Sequence, residues 1–224
     1  MIHLLHGAVG APQDWDSLIP LLGDCAARAV DLYAGDISSF KRTAESLNQD
    51  ALHGDVLVGY SMGGRLALHA LTLANCPWSQ AVIISSDPGS GPVPDRVARD
   101  RRWAKLARRD WDGFTTEWLA QSIFDGSPTP GDRAFPGARR VEAIARGFEC
   151  WSVGRQEDLR EELGRIELPV LWIVGERDQK FVDLAEGLVP RMPSGRLAVV
   201  RGAGHRVPWE RPEVVADLIR SFIS

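Results

Sequence analysis

A serine between two glycines is the first pattern in this sequence that could do chemistry. The stretch VGYSMGGRLAL (58–68) places Ser61 two residues after Gly59 and two residues before Gly63. An apolar run precedes it and a helix-forming run follows, as in the tight strand-to-helix turn that presents a nucleophilic serine. Such a turn needs small residues on both sides of the serine. We therefore predict that Ser61 is a nucleophile.

A serine nucleophile needs a base, and the base needs an acid that orients it. Among the five histidines, His205 lies in the loop RGAGHRVPWERPE between the last predicted strand and the last predicted helix. Asp178 follows the apolar run PVLWIV in VGERDQKF, where Glu176 is the rival acid. The turn favours Asp178, because the fourth residue of GERD is expected at the sheet edge. The order Ser61, Asp178, His205 predicts a catalytic triad.

The same reasoning predicts two backbone donors for a developing oxyanion. The N–H of Met62 opens the helix after the nucleophile and points to where negative charge would form. The sequence HGAVG after the first apolar run offers the N–H of Ala8 as the second donor. His6, which begins that stretch, is expected to brace the loop through hydrogen bonds rather than to react.

An arginine follows the serine at i+4. Arg65 is expected on the same helix face as Ser61, about one turn further on. A surface arginine on a helix is the alternative interpretation. A guanidinium at the nucleophile is desolvated without a partner if the substrate is a neutral ester, whereas a carboxylate substrate supplies that partner. Arg65 therefore favours an anionic substrate.

A second basic feature occupies residues 96–109. It contains six arginines and one lysine with Asp100 as the only acid between them. The cluster is either a solvated helix face or a set of arginines that face a cleft and hold carboxylates.

The elements that must position these groups alternate along most of the chain. Six apolar runs are predicted as strands: IHLLHG, ARAVDLY, DVLVGY, QAVIISS, PVLWIVG and RLAVV. Five runs are predicted as helices: DWDSLIPLL, KRTAESLNQDAL, SMGGRLALHALTLA, FVDLAEGLVP and PEVVADLIRSFI. This alternation is typical of an α/β fold with a parallel, doubly wound sheet.

The alternation is interrupted after the linker DPGSGPVPD. From there to about Leu163 the chain is helical in character and contains no convincing strand. We therefore predict an α/β core formed by residues 1–87 and 166–224, and a helical cap formed by residues 88–165.

Composition narrows the range of partners. A formal net charge of -4 and an isoelectric point near 5.8 give no general attraction to nucleic acid or anionic membrane. No apolar run approaches the roughly 20 residues of a spanning helix, and the start MIHLLHG has no basic region of a signal peptide. Three separated cysteines indicate structural thiols in a reducing cytoplasm. No cluster has metal-ligand spacing and no nucleotide-binding glycine motif occurs, so no metal and no cofactor are expected.

Four stretches together resemble the α/β-hydrolase superfamily over almost the whole chain. HGAVGAPQDW, GYSMGGR, GERDQKF and GAGH, with the helical cap, look most like one branch of it, the 2-succinyl-6-hydroxy-2,4-cyclohexadiene-1-carboxylate synthase (SHCHC synthase) family of menaquinone biosynthesis. The resemblance implies an α/β-hydrolase fold and a cofactor-independent lyase. Such a lyase uses a Ser-His-Asp triad to eliminate pyruvate from a substrate with several carboxylates, which arginines hold.

The resemblance also implies substrate-binding residues. Tyr60 matches the tyrosine before the nucleophile, and Arg65 matches the arginine that ends the elbow motif. In the cap the correspondences are Arg96, Trp118 in WLAQSIF, and Arg139, for which Arg140 is an equally good match.

Two departures from the family pattern stand out. DLYAGDIS replaces the D-L-P-G-H-G-x-S of relatives, and the chain begins on the strand before HG, so leading strands are expected to be absent. The first departure could alter the floor of the pocket, whereas the second spares the catalytic edge.

The sequence thus predicts a cytoplasmic lyase of SHCHC synthase type that acts on a small anionic substrate, as a monomer or small homo-oligomer. The alternative is a serine carboxylesterase or thioesterase that forms an acyl-enzyme on a small ester. A non-catalytic binding protein is disfavoured because the triad is complete.

Overall fold

A six-stranded parallel sheet forms the centre of the molecule. The computed structural model describes residues 1–131 and 133–224. The strand order is β2-β1-β3-β4-β5-β6, and every neighbouring pair is parallel. The strands are β1 (Ile2–Leu5), β2 (Ala27–Val30), β3 (Val56–Tyr60), β4 (Gln80–Ile84), β5 (Val170–Gly175) and β6 (Gly195–Val200). The six predicted strands and the α/β class are therefore confirmed.

Helices follow or connect these strands. They are α1 (Phe40–Gln49), α2 (Met62–Leu71), α3 (Pro94–Arg109), α4 (Trp111–Leu119), α5 (Ala138–Cys150), α6 (Arg160–Leu163), α7 (Gln179–Leu188), α8 (Val207–Glu210) and α9 (Pro212–Ile223). The structure shows no helix among the described residues that is long and apolar enough to cross a membrane.

One predicted helix is wrong. The run DWDSLIPLL forms parts of two short 3-10 helices, Pro12–Trp15 and Ile19–Leu22. Pro20 is the seventh of the nine residues of the run, where it lacks an N–H and its ring would clash with the carbonyl of Asp16, four residues earlier. A continuous α-helix therefore cannot run through this segment, although its apolar side chains still pack in the core.

The central strands are buried on both faces. Every residue of β1, β3 and β5 is buried, which explains why these strands read as continuous apolar runs rather than as alternating ones. Successive residues still point to opposite sides: Leu57 belongs to the apolar cluster under α1 and α2, whereas Val56 and Val58 belong to the cluster under α9.

The helices α3 to α6 lie in the chain between β4 and β5, and within the described part of 88–165 there is no strand. Their apolar side chains, including Trp111, Phe114 and Phe148, join the cluster on the α1 and α2 side of the sheet. Asp132, inside this interval, lies outside the described residues. We propose that this interval acts as a cap over the carboxyl edge of the sheet.

Candidate active site

The turn between β3 and α2 places Ser61 above the sheet edge. Ser61 has a φ of 50° and a ψ of −111°, a strained conformation for a residue with a side chain. A Cβ on Gly63 would lie 2.6 Å from the carbonyl oxygen of His6, and one on Gly59 would lie 2.6 Å from the Cα of Gly64. The two glycines of the motif therefore allow β1, β3 and α2 to approach closely enough for this turn.

The three residues predicted as a triad meet at the carboxyl ends of β3, β5 and β6. His205 Nε2 lies 3.2 Å from Ser61 Oγ, and His205 Nδ1 lies 2.6 Å from Asp178 Oδ2. Both His205 and Asp178 are buried. With Nδ1–H donating to the carboxylate, Nε2 is left to accept the serine proton. Glu176, the rival acid, is exposed and accepts from the N–H of Gly202.

The loop after β1 brings the second predicted oxyanion donor to the same place. Ala8 and Met62 both line the cavity that contains Ser61. Within the described chain, neither backbone N–H donates to a protein acceptor. Both amides are thus available to an oxyanion next to the serine.

His6 braces that loop through hydrogen bonds, as predicted. Its Nδ1–H donates to the carbonyl of Gly7 at 2.9 Å, and its Nε2 accepts from the N–H of Leu32 at 3.2 Å. Tyr33 adds a second brace, because its hydroxyl accepts from the N–H of Val9 at 3.1 Å. Burial raises the pKa of Tyr33 to about 12, so its hydroxyl keeps its proton at neutral pH.

Arg65 is buried rather than a surface arginine. Its Nη1 donates to the carbonyl of Trp151 at 2.6 Å, and its guanidinium lies 5.5 Å from the centre of the Phe40 ring. Burial lowers the pKa of Arg65 to about 10. Arg65 also lines the cavity with Ser61, but no carboxylate of the described residues lies within 4 Å of it.

The cavity has a volume of about 600 Å³ and is rich in cationic side chains. Among the described residues, six cationic side chains face three carboxylates there; the cations are Arg65, Arg96, Arg99, Arg133, Lys180 and Arg206, and the carboxylates are Asp14, Asp87 and Asp100. The charge surrounding the serine is therefore positive.

Three of these cations are neutralised by the three carboxylates. Arg133 binds Asp14 through both terminal nitrogens at 3.1 and 3.0 Å. Lys180 lies 3.3 Å from Asp87, and Arg96 Nε lies 3.1 Å from Asp100, which also accepts from Ser152.

The other three cations, Arg65, Arg99 and Arg206, have no ion pair with any described carboxylate. Burial lowers the pKa of both Arg99 and Arg206 from its usual value, as it does that of Arg65. Arg65 and Arg206 are buried, so their lowered pKa means that the charged form lacks full compensation in this site, whereas Arg99 is exposed and water solvates its charge. An anionic ligand would supply the missing negative charge.

The aromatic residues predicted at the site also line the cavity. Tyr60 packs edge-on against Trp209 with ring centres 4.7 Å apart, and its ring centre lies 5.6 Å from that of His205. Trp118 packs against Phe148 at 5.1 Å.

Arg139 is the one predicted binding residue that the structure does not bring to the cavity. It is exposed near the start of α5. The alternative, Arg140, faces inward but is held by Asp31 at 2.5 Å and by the carbonyl of Gly10 at 3.0 Å. Matching residues in the cap fails here because the length of the segment before α5 is free to vary.

Four cationic residues of the cavity were missed as individual candidates: Arg99, Arg133, Lys180 and Arg206. Arg99 belongs to the basic cluster at 96–109. Of the two interpretations of that cluster, the one in which arginines face a cleft applies to Arg96 and Arg99, because both line the cavity. Arg206 directly follows His205, so proximity to the predicted base was the available signal. Nothing in the sequence around Arg133 indicates that it reaches Asp14.

Comparisons with known proteins agree with this architecture. The family model described as "Alpha/beta hydrolase family" matches residues 4–218. The chain is similar to the 2-succinyl-6-hydroxy-2,4-cyclohexadiene-1-carboxylate synthase of Citrobacter koseri, with 30% identity over 98% of this chain and 92% of that protein.

Solved structures show the same fold. MenH from S. aureus superposes with a TM-score of 0.83 and 21% identity, over 99% of this chain and 92% of the other. A thermophilic esterase from Thermogutta terrifontis superposes with a TM-score of 0.80 and 22% identity, over 99% and 88%. With its parallel sheet, the serine turn and a family match over nearly its whole length, this chain belongs to the α/β-hydrolase family of enzymes.

Proposed function

We propose that this enzyme is a carbon–oxygen lyase of the SHCHC synthase type, which eliminates pyruvate from a multi-carboxylate cyclohexene intermediate of menaquinone biosynthesis. The observation that carries the proposal is the cation-rich cavity around Ser61, with Arg65 buried in it and unpaired with any described carboxylate. The similarity to named SHCHC synthases at 28 to 30% identity supports it independently.

The number of cavity arginines without an ion pair suits such a substrate. The ring product has a succinyl carboxylate and a ring carboxylate, and the departing pyruvyl group has a third. Arg65, Arg99 and Arg206 are the three cavity arginines that have no ion pair with a described carboxylate. Arginine binds carboxylates through two parallel hydrogen bonds, so each of the three can hold one carboxylate.

A neutral ester would complement the positive charge of this cavity poorly. Burial of a guanidinium without a partner is costly, and a neutral ligand would exclude water from it without replacing its solvation. A trianionic ligand reverses that cost. The charge of the cavity therefore favours the lyase over a general carboxylesterase.

The mechanism follows from the positions of the three triad residues. Asp178 orients His205 with Nε2 towards Ser61. His205 accepts the serine proton, and Ser61 Oγ removes the proton next to the conjugated system of the substrate. The electron pair of that C–H bond forms the new ring double bond, and the C–O bond to the pyruvyl group breaks.

The leaving group departs as the enolate of pyruvate, and the proton held by His205 is released to it to give pyruvate, while Ser61 keeps the proton taken from the substrate, so the triad returns to its starting state. The N–H groups of Ala8 and Met62 stabilise the negative charge that develops on the substrate as its proton is removed. No acyl-enzyme forms in this sequence of steps, because Ser61 acts as a base rather than as a nucleophile.

The surrounding residues have binding roles in this proposal. The Tyr60 hydroxyl has no acceptor or donor among the described residues and faces the cavity, so it can bond to a substrate oxygen. Trp118 supplies an apolar wall, and Arg96 adds positive charge even though Asp100 binds it. The predicted partner is thus a small anionic molecule.

The alternative is a serine carboxylesterase or thioesterase that forms an acyl-enzyme. The same triad and the same two amides serve that chemistry, and the T. terrifontis esterase has the same fold. The two functions differ in product, so the decisive experiment measures pyruvate release from the pathway intermediate beside hydrolysis of p-nitrophenyl esters.

We expect pyruvate release to be at least a hundredfold more efficient than ester hydrolysis, in kcat/KM, and to be lost in Ser61→Ala. Efficient ester hydrolysis with no pyruvate release would establish the alternative. Full activity of Ser61→Ala in both assays would refute any role of the triad.

A further inference from the structure

The carboxylate of Glu210, the last residue of α8, is a junction of four hydrogen bonds. Its side chain is 3% exposed. Oε1 accepts from the hydroxyl of Ser127 at 2.6 Å and from the N–H of Arg206 at 3.2 Å. Oε2 accepts from the N–H of Gly204 at 2.8 Å and from Nη2 of Arg177 at 2.6 Å. Each carboxylate oxygen thus accepts two hydrogen bonds, so the lone pairs of both oxygens are occupied.

Two of those donors are the backbone N–H groups of Gly204 and Arg206, the residues on either side of His205. Because Gly204 and Arg206 donate to the same carboxylate, the backbone on both sides of His205 is fixed relative to one point. Burial alone would raise the pKa of Glu210, but the hydrogen bonds from Ser127, Gly204 and Arg177 lower it below its usual value. The group is therefore an anion at neutral pH, and its hydrogen bonds are charge-assisted.

A third donor belongs to the loop that carries the acid. Arg177 precedes Asp178, and its side chain reaches Glu210. The backbone N–H of Arg177 also donates to the carbonyl of Ala203 at 2.8 Å. Glu210 therefore connects the loop that carries His205 with the loop that carries Asp178.

The fourth donor lies in a different part of the chain, the segment 124–130. Phe124 and Pro130 of this segment line the cavity. Arg206 reinforces the connection: its Nη1 donates to the carbonyl of Pro128 at 3.1 Å and to Thr129 Oγ1 at 3.3 Å, and its guanidinium lies 3.9 Å from the centre of the Phe124 ring. The wall of the cavity is thus fastened to the loop of His205.

We propose that Glu210 is a positioning residue that couples the docking of segment 124–130 to the orientation of His205. When the Ser127 hydroxyl is bonded to Glu210, the residues on either side of His205 are held so that Nε2 points at Ser61. When the segment moves away, Glu210 loses one of its fixed points and His205 loses its alignment. The inference rests on the proposed role of His205 as the base, but not on which reaction it serves.

The test compares variants at the two ends of the Ser127–Glu210 bond. Glu210→Gln keeps the size of the side chain but replaces one acceptor oxygen with an NH2 group. This group is itself a donor, so it cannot accept the hydrogen bonds that Glu210 receives from backbone N–H groups. Ser127→Ala removes the hydrogen bond between the segment and Glu210 but leaves the contacts of Arg206 with the segment, and Ser127→Thr keeps the hydroxyl. Glu213→Gln, on the exposed face of α9, makes the same chemical change away from the site.

The primary readout is the second-order rate at which a fluorophosphonate labels Ser61, measured with the melting temperature of each variant. Small misplacements of a reacting group cost up to about a hundredfold in rate. We expect labelling to slow about tenfold to a hundredfold in Glu210→Gln and about three- to tenfold in Ser127→Ala. Ser127→Thr and Glu213→Gln should label within twofold of the wild type.

The coupling itself is tested by the double variant. If Ser127 acts through Glu210, the double variant Ser127→Ala/Glu210→Gln should label no more slowly than Glu210→Gln alone. Labelling of Ser127→Ala at the wild-type rate would overturn the proposal, as would a Glu210→Gln protein that melts at a lower temperature but labels normally while folded.

The same experiment separates this inference from the proposed function. A wild-type protein that is labelled but releases no pyruvate contradicts the lyase, and the labelling rates of the variants still decide the role of Glu210. Where pyruvate is released, kcat should fall in Ser127→Ala with KM within threefold of the wild type. A wild-type protein that is not labelled would overturn both.

Discussion

Replacement of Arg65 with methionine should separate the binding of an anionic substrate from the reactivity of Ser61. Burial lowers the pKa of this guanidinium from its usual value to about 10, so its charge lacks full compensation. A charge-assisted hydrogen-bonded pair with a substrate carboxylate contributes about 3 kcal/mol. Because about 1.4 kcal/mol corresponds to a factor of ten, loss of that pair lowers kcat/KM on the order of 100-fold.

Stability should respond far less than activity. Arg65→Met removes a buried charge that has no carboxylate partner, but it also leaves the Trp151 carbonyl without its donor. These effects have opposite signs and similar size, each about 1 to 3 kcal/mol, so we expect the free energy of unfolding to change by no more than about 1 kcal/mol.

The assay is pyruvate release, followed by reduction of pyruvate with a coupled dehydrogenase, together with fluorophosphonate labelling of Ser61. The labelling rate of Arg65→Met should stay within about twofold of the wild type, because the triad is intact. Arg146→Met, an exposed arginine of α5, is the matched control and should leave both readouts unchanged. Wild-type kcat/KM for pyruvate release in Arg65→Met would refute the role of Arg65 and remove the main support for the lyase.

Three other substitutions test other parts of the structure. Asp178→Asn should lower kcat by about 10⁴-fold with little change in melting temperature, because an amide favours the wrong tautomer of His205; a loss under tenfold would contradict the triad. Burial, and then Arg65, lowers the pKa of His69 to about 4, so the unfolded chain binds a proton more readily as pH falls from about 6.5 to about 4. The wild type should therefore lose roughly 3 kcal/mol of unfolding free energy over that window relative to His69→Leu, by urea titration, and equal slopes would count against a buried neutral His69. Gly63→Ala should lower both melting temperature and Ser61 labelling, since its Cβ would collide with backbone carbonyls of β1 and the following loop; wild-type labelling would show that the turn tolerates a side chain.

The elements that carry the triad could be predicted because each has a local cause in the sequence. The buried strands are continuous apolar runs, and the turn at Ser61 needs its glycines within two residues. Asp178 follows β5 by three residues and His205 follows β6 by five, so the parallel sheet brings both to one edge. Arg65 was placed by helical periodicity, which depends only on its distance from Ser61 along the chain.

The cavity wall could not be predicted in the same way, because it depends on contacts between residues that are distant in sequence. Arg133 reaches Asp14 across 119 residues, and Ser127 reaches Glu210 across 83. Neither pair has a periodic pattern that links its members. Arg139 shows the consequence: a match by residue type alone selected a side chain that points to solvent.

The excess of cationic side chains in the cavity has a consequence for how a substrate arrives. The whole chain has a formal net charge of -4, although the described cavity residues include six cations and three carboxylates. The outer surface therefore carries the negative charge, and an approaching polyanion is repelled once it comes within about one Debye length, roughly 8 Å, of that surface. Only an anion small enough to enter experiences the focused positive potential inside. The protein would thus discriminate against polymeric anions through the distribution of its charge as well as through the size of the cavity mouth, and the electrostatic part of this discrimination should weaken as ionic strength rises.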